Sequence, residues 1–108
     1  MKMEKTRNFS HSVLFWLKEP EDVVIRQKFE SEAKKLIASS QYAHFSHFGT
    51  PAGTDRAVVD NSYTYSMIVT FESVDDHDKY QVEPAHVHFI EQCKELWSKV
   101  TIYDVLSL

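Results

Sequence analysis

In two segments, residues 9–17 and 63–71, an apolar or aromatic residue occupies every second position, and this period constrains the fold more than any other feature. Successive side chains of a β-strand point to opposite faces, so a period of two predicts strands with two unlike faces. In the first segment one face carries Phe9, His11, Val13, Phe15 and Leu17. In the second it carries Tyr63, Tyr65, Met67, Val69 and Phe71. Each strand is expected to bury this face.

A helix is predicted between the two strands. Pro20 has the fixed φ angle of a first helical turn, and Glu21 and Asp22 favour the positive end of a helix dipole. Apolar residues then recur at spacings of three and four, as in a helix with one buried face. They are Ile25, Phe29, Ala33, Leu36 and Ile37.

The remaining segments complete an alternating order of strands and helices. An aromatic-rich strand is predicted at 42–48, ending at Gly49, and a connection at 50–61. Ser73 resembles a helix N-cap, and its helix should stop before Pro84, which starts a second helix over about 85–99. A last strand is predicted at 101–108. The order βαββαβ predicts an α+β sandwich, with a four-stranded antiparallel sheet covered by helices on one side.

Length and composition indicate one domain. The chain has 108 residues with only 2 Gly and 3 Pro, so we expect a flexible N-terminus at 1–8 and a single domain at 9–108. The net charge of −4 comes without a basic stripe, which argues against nucleic-acid binding. Cys93 is the only cysteine, and no run is apolar enough for a signal peptide or membrane span. A cytoplasmic protein without membrane contact is expected.

The second face of the sheet predicts an oligomer. If the helices cover the side with Val13 and Met67, then Leu14, Trp16 and Ile68 remain on the other side among small hydroxyl residues. Exposed apolar patches of this kind usually mark an interface, and a two-fold partner can cover one with the same patch. We therefore predict a homodimer that pairs through the open sheet face.

The break at Pro84 predicts a site for chemistry. Tyr80 ends one helix and His86 opens the next, so their side chains can converge although they are six positions apart. Burial and the helix N-terminus favour a neutral imidazole at His86, which can act as a general base while a phenol donates to an oxygen. His86 and Tyr80 are the predicted catalytic residues.

A small-molecule ligand is predicted to bind in the interior next to this pair. The expected substrate-binding residues share the apolar face of a strand or helix, and they are His11, Tyr65, Phe15, Met67, Phe89 and Trp97. For His11 the alternative is a hydrogen-bonded core histidine, and for Tyr65 an ordinary half-buried strand tyrosine.

Histidine spacing gives no reason to expect a metal. On a strand, His44 and His47 face opposite sides, and on a helix His86 and His88 diverge, so neither pair has the same-face geometry that zinc prefers. Glycine-rich phosphate loops and nucleophile motifs are also missing from the sequence. Neither a metal nor a cofactor is expected.

Several of these segments together resemble the stress-responsive dimeric α/β-barrel (Dabb) family over about residues 10–106. The resemblance rests on a histidine at the start of the first strand, on Val69 to Val74 leading into a helix, on Tyr80, on Pro84 to Val87, and on a closing strand through Asp104. It implies a ferredoxin-like protomer whose sheet packs on a partner's sheet to form a dimeric α/β barrel.

The resemblance also implies a kind of activity. In a polyketide-cyclase member of the family, a tyrosine and a histidine promote an aldol-type ring closure, and they match Tyr80 and His86, with His11 matching a further histidine. Tyr65 and Ala33 depart from the cyclase pattern, and Glu83 replaces a histidine frequent in the family. The predicted function is a cofactor-independent lyase or cyclase. The alternatives are a non-catalytic, stress-related ligand-binding dimer and, ranked below it, a cofactorless monooxygenase or haem-handling protein.

Overall fold

A computed structural model describes residues 7–108 of the chain. Most of the predicted flexible segment, residues 1–6, lies outside the described residues, whereas Arg7 and Asn8 both hydrogen-bond to Ser107. The elements follow the predicted order with the second helix in two parts. They are β1 (Phe9–Leu17), α1 (Val23–Ser39), β2 (Phe45–Gly49), β3 (Tyr65–Phe71), α2 (Val74–Val82), α3 (Pro84–Cys93) and β4 (Trp97–Leu106).

The four strands form one antiparallel sheet in the order β2-β3-β1-β4. Along β1 and β3 the side chains alternate between buried and partly exposed, which confirms the predicted two-faced strands. His11 pairs with Val69 of β3 on one side and with Asp104 of β4 on the other. This ferredoxin-like α+β arrangement is the predicted one.

The core lies between the buried sheet face and the helices. Phe29 and Ala33 of α1 are fully buried, and the ring of Phe29 stacks on Tyr65 at a centroid distance of 4.9 Å. Phe89 and Cys93 bring α3 onto the same cluster. Burying such large apolar side chains stabilises the fold by roughly 1.5–3 kcal/mol each. The helices therefore dock through the residues that the helical period indicated.

The start of α1 differs from the predicted one, whereas the break between α2 and α3 lies where it was predicted. Helix α1 begins at Val23 rather than near Pro20, because the Asp22 side chain accepts hydrogen bonds from the amides of Val24 and Ile25. Ser73 caps α2 by accepting from the Asp76 amide, and Pro84 is the first residue of α3, both as predicted.

Two strand boundaries were also predicted wrongly. The expected strand at 42–48 starts only at Phe45, because the Tyr42 and Ala43 amides donate to the Ser40 hydroxyl and turn the chain there. The helix expected to reach residue 99 ends at Cys93, and Trp97 instead opens β4 by pairing with Leu17. Hydrogen bonding along the edge of β1 outweighs the helical spacing of apolar residues, which had predicted that the helix continues to residue 99.

Candidate active site

A cavity of about 240 Å³ lies between the sheet and the α2–α3 break. Its floor comes from β1, β3 and β4, and its roof from the end of α2 and the first turns of α3. The lining is mostly apolar, with the polar groups of His11, Tyr80, Gln81 and His86 among them. An apolar cavity with a few convergent polar groups is typical of a small-molecule site.

All of the predicted site residues except Tyr65 line this cavity. They are His11, Phe15, Met67, Tyr80, His86, Phe89 and Trp97. Trp97 does so from the start of β4 and not from a helix. The alternation of side chains along β1 and β3 and the apolar stripe of α3 explain the positions of the residues on these elements, because each pattern selects the side chains that point to the interior.

Tyr80 and His86 lie side by side across the helix break. Their ring centroids are 4.8 Å apart with the planes inclined by 56°. Glu83 lies between α2 and α3 in an extended conformation, so the chain redirects there before Pro84 starts the next helix. In a straight helix, residues six apart would point to different faces.

The hydrogen bonding of His86 determines which ring nitrogen is available. Its Nδ1 atom lies 3.1 Å from the carbonyl oxygen of Gln81, and a carbonyl can only accept, so Nδ1 carries the proton. In the neutral ring Nε2 then has a free lone pair. Burial lowers the pKa of His86, an effect that the Gln81 hydrogen bond partly opposes. His86 is therefore a neutral base near neutral pH.

The phenol of Tyr80 remains protonated over the same pH range. Its side chain is 1% exposed, and burial, helped by the negative charge of Glu83, raises its pKa above the ordinary value. A buried protonated phenol can donate a hydrogen bond to an oxygen atom of a ligand. The pair thus combines a base with a hydrogen-bond donor.

His11 lies on the cavity floor and is anchored by a carboxylate. Its Nδ1 lies 2.6 Å from Oδ1 of Asp104, which occupies the paired position on β4. Burial lowers the pKa of His11, while the hydrogen bond and negative charge of Asp104 raise it. The His11 and Tyr80 ring centroids are 6.2 Å apart. A ligand in this cavity would therefore meet His11 as well as the Tyr80 and His86 pair.

Glu83 joins the helix break to the end of α1. Its carboxylate accepts a hydrogen bond from the Ser40 hydroxyl and another, of 3.3 Å, from the Gln41 amide. The carboxylate is not used to cap α3. At 8% exposure, Glu83 is a buried acidic residue, and its hydrogen bonds connect the break between Tyr80 and His86 to the end of α1.

Tyr65 does not belong to the cavity, contrary to its predicted location. Position 65 pairs with Phe15 at the other end of β3, where α1 covers the sheet. Its hydroxyl donates to Glu30 of α1, and Arg26 lies over its ring at 4.9 Å. Burial and the Glu30 hydrogen bond raise its pKa. Tyr65 holds α1 on the sheet instead of facing the ligand cavity.

Three polar residues near or at the site were not singled out from the sequence, namely Glu83, His77 and Asp104. In the sequence, Glu83 stands out only as a departure from the family pattern, and His77 lies in an acidic run at 75–78 that is typical of a solvated first helical turn. Asp104 in a strand next to aromatic residues was the one available signal, because aspartate is depleted in strands. Only the pairing of β4 with β1 places it beside His11.

Comparisons with known proteins agree with this fold. Residues 9–107 match the family model described as the Stress responsive A/B Barrel Domain (Dabb). Olivetolic acid cyclase from Cannabis sativa is 40% identical over 45 residues, which are 42% of this chain. The match spans 45% of the cyclase, less than half of its length.

Two solved structures share the fold over nearly the whole chain. The hydroxynitrile lyase from Passiflora edulis has a TM-score of 0.78 at 18% identity and covers 95% of both chains. A dimeric ferredoxin-like protein of unknown function from Thermobifida fusca has a TM-score of 0.77 at 14% identity and covers 99% of this chain and 97% of its own. The extent of the family match over residues 9–107 shows that this chain belongs to the stress-responsive α/β-barrel (Dabb) family.

Proposed function

We propose that this protein is a cofactor-independent lyase or cyclase that makes or breaks a carbon–carbon bond next to a carbonyl group. His86 acts as the general base and Tyr80 as the hydrogen-bond donor. The observation that carries the proposal is the 4.8 Å approach of these two rings at the wall of one apolar cavity. The family relationship to a cyclase and the shared fold with a lyase support the general kind of reaction.

The proposed base step follows from which nitrogen of the neutral His86 ring carries the proton. With Nδ1 donating to the Gln81 carbonyl, Nε2 takes a proton from the ligand, either from carbon next to a carbonyl or from a hydroxyl group. The lowered pKa of His86 keeps this nitrogen unprotonated near neutral pH. Positioned proton transfer of this type contributes typically about 10²–10⁴-fold to a rate.

The donor step follows from the burial of Tyr80. In ring closure, the carbanion attacks a second carbonyl whose oxygen becomes negative, and the phenol donates to that oxygen. In the reverse direction, His86 takes the hydroxyl proton, the carbonyl forms as the carbon–carbon bond breaks, and the departing carbanion takes up the proton that His86 then holds. A raised pKa suits Tyr80 to donation, because the phenol then retains its proton in the resting state.

The size and lining of the cavity suggest the substrate class. A volume of about 240 Å³ is below the roughly 300–1,000 Å³ of sites for drug-sized ligands. Ile102, which lines the cavity on the edge strand β4, is 50% exposed, so the cavity opens there. We infer a small, partly apolar substrate with one or two oxygen atoms at the His11 and Tyr80 end.

The experiment compares turnover in matched variants. Small aliphatic and aromatic cyanohydrins are tested for aldehyde release, and linear poly-β-keto compounds are tested for cyclic products. We expect the wild-type protein to turn over a member of one class, and His86→Ala and Tyr80→Phe to lower kcat by at least about 10²-fold. Val24→Ala, a change at an exposed position of α1, serves as the control for handling and folding.

A ligand-binding protein without catalysis is the second candidate, favoured by the same cavity. In that case the wild-type protein binds members of these classes saturably without product, and affinity survives His86→Ala. Turnover that is equal in wild type and His86→Ala would contradict the proposed base. A Soret band on haem titration would instead favour the haem-handling alternative. A stress-response role and a cytoplasmic location stay predictions.

We also propose that two copies pair through the open sheet face. On this face Phe45, Tyr103 and Val105 are each 57–60% exposed, next to the partly exposed Leu14 and Ile68. Solved proteins with this fold are described as dimeric, which supports the same assembly here. None of the helices within residues 7–108 is long and apolar enough to cross a bilayer.

A further inference from the structure

We propose that His11, His77 and Asp104 bind one divalent transition-metal ion of the zinc type. The three residues come from β1, α2 and β4, and one potential ligand atom of each lies within 4.8 Å of the other two. This site goes beyond the proposed function, because neither Tyr80 nor His86 is a ligand. It would lie against the cavity wall that His11 forms.

The donor set fits a borderline-soft cation. Imidazole nitrogens and carboxylate oxygens bind Zn²⁺ at about 2.0–2.2 Å, and tetrahedral ligands at that distance are about 3.4 Å apart. The present separations therefore need to close by no more than about 1.4 Å. The Asp104 side chain is 44% exposed, so it can exchange its hydrogen bond with Nδ1 of His11 for an ion without a change in core packing. Two neutral imidazoles and one carboxylate leave a fourth position for water or ligand.

Neighbouring contacts already orient the two imidazoles. His77 stacks on Phe9 at a centroid distance of 4.1 Å, and its ring centroid lies 5.0 Å from that of His11. Its Nδ1 lies 3.2 Å from the carboxylate of Asp78, and its Nε2 lies 3.2 Å from the side-chain nitrogen of Gln81, so an ion at Nε2 would take the place of the Gln81 amide. A carboxylate behind a ligating histidine is a recurrent outer-shell feature of metal sites.

Negative charge near the three residues favours a cation. The buried ring of His11 lies beside the Asp104 carboxylate. The Asp104 carboxylate supplies a negative charge next to it, which partly neutralises the cation. Asp75, Asp76 and Asp78 of α2 add further negative charge on the same helix as His77.

The test uses tag-free protein and Zn²⁺ itself. Calorimetric titration should show one Zn²⁺ per chain, and Co²⁺ in its place should give visible absorption bands of a coordinated ion. We expect His77→Gln and Asp104→Asn each to weaken Zn²⁺ binding by more than about tenfold. His44→Gln is the matched control, because His44 forms an exposed pair with Glu72 at 3.4 Å and should leave binding unchanged.

A second measurement needs no variant. In the wild-type protein, one equivalent of Zn²⁺ should shift the NMR ring signals of His11 and His77 and leave those of His44 and His47 in place. Zn²⁺ binding that His77→Gln and Asp104→Asn do not weaken, or ring shifts confined to other histidines, would overturn the proposal. These readouts do not depend on turnover, so the metal site and the Tyr80 and His86 mechanism fail or stand separately.

Discussion

The imidazole of His11 and the carboxylate of Asp104 face each other across the pairing of β1 with β4, with Nδ1 and Oδ1 2.6 Å apart. His11 is 4% exposed, and the Asp104 side chain is 44% exposed. The hydrogen bond therefore connects a cavity histidine to the protein surface. It places the proton of neutral His11 on Nδ1 and leaves Nε2 as the acceptor.

Replacing Asp104 with Asn is expected to lower the pKa of His11 further. Burial already lowers this pKa, and the hydrogen bond and charge of Asp104 are the effects that oppose burial. An NMR titration of the His11 ring signal measures the change. Asp78→Asn, next to His77, is the control and should move the His11 pKa much less. A rise in the pKa of His11 in Asp104→Asn would contradict this account.

Stability is expected to fall as the pH drops from about 7 toward 5.5. His11 and His86 both have folded-state pKa values below 6.5, so the unfolded chain takes up protons first. Their stabilising contribution is complete above pH 6.5 and is lost as the pH falls through the folded values. The limiting slope is about 1.4 kcal/mol per pH unit for each proton.

Urea unfolding at several pH values measures this slope. His86→Gln should flatten it, since the variant retains only the contribution of His11. Val24→Ala, at an exposed position of α1, is the control and should keep the wild-type slope. Stability that rises as the pH falls over this range would show that the two buried histidines are charged in the folded protein.

Removing the Glu83 carboxylate is expected to destabilise the fold and to loosen the site. Glu83→Ala leaves the Ser40 hydroxyl and the Gln41 amide without their acceptor, at a cost of about 1–3 kcal/mol. Chemical denaturation measures the loss, and Glu91→Ala at an exposed position of α3 should change stability by less than about 0.5 kcal/mol. A double-mutant cycle with Ser40→Ala should give a coupling of at least about 0.5 kcal/mol. Additive effects would argue against this hydrogen bond.

A charge on the open sheet face is expected to separate the proposed dimer. Tyr103 is 60% exposed on that face, and Tyr103→Lys would bring a cation into a self-complementary apolar interface. Val24→Lys is the control, because Val24 is 72% exposed on α1, away from the sheet. Light scattering at micromolar concentration should give a dimer for wild type and for Val24→Lys, and a monomer for Tyr103→Lys. A monomeric wild-type protein would contradict the proposed assembly.

Local sequence rules were sufficient to predict the order of strands and helices. The period of two in β1 and β3 predicted which face is buried, and the Ser73 cap and Pro84 predicted the paired helices α2 and α3. The same rules selected the cavity residues, because a side chain's direction follows from its position within a regular element. They were less accurate at element ends, where the Ser40 hydroxyl and the pairing of Trp97 with Leu17 set the limits.

The sequence by itself determined the order of elements, the buried faces and the convergence of Tyr80 with His86, because all three depend on periodicity and on a local break. Only the tertiary structure decided that Asp104 anchors His11, that His77 lies beside both, and that Glu83 reaches Ser40. It also placed Tyr65 against Glu30 and outside the cavity. These relationships join residues far apart in the chain, and strand register and helix docking, which no local pattern encodes, bring them together.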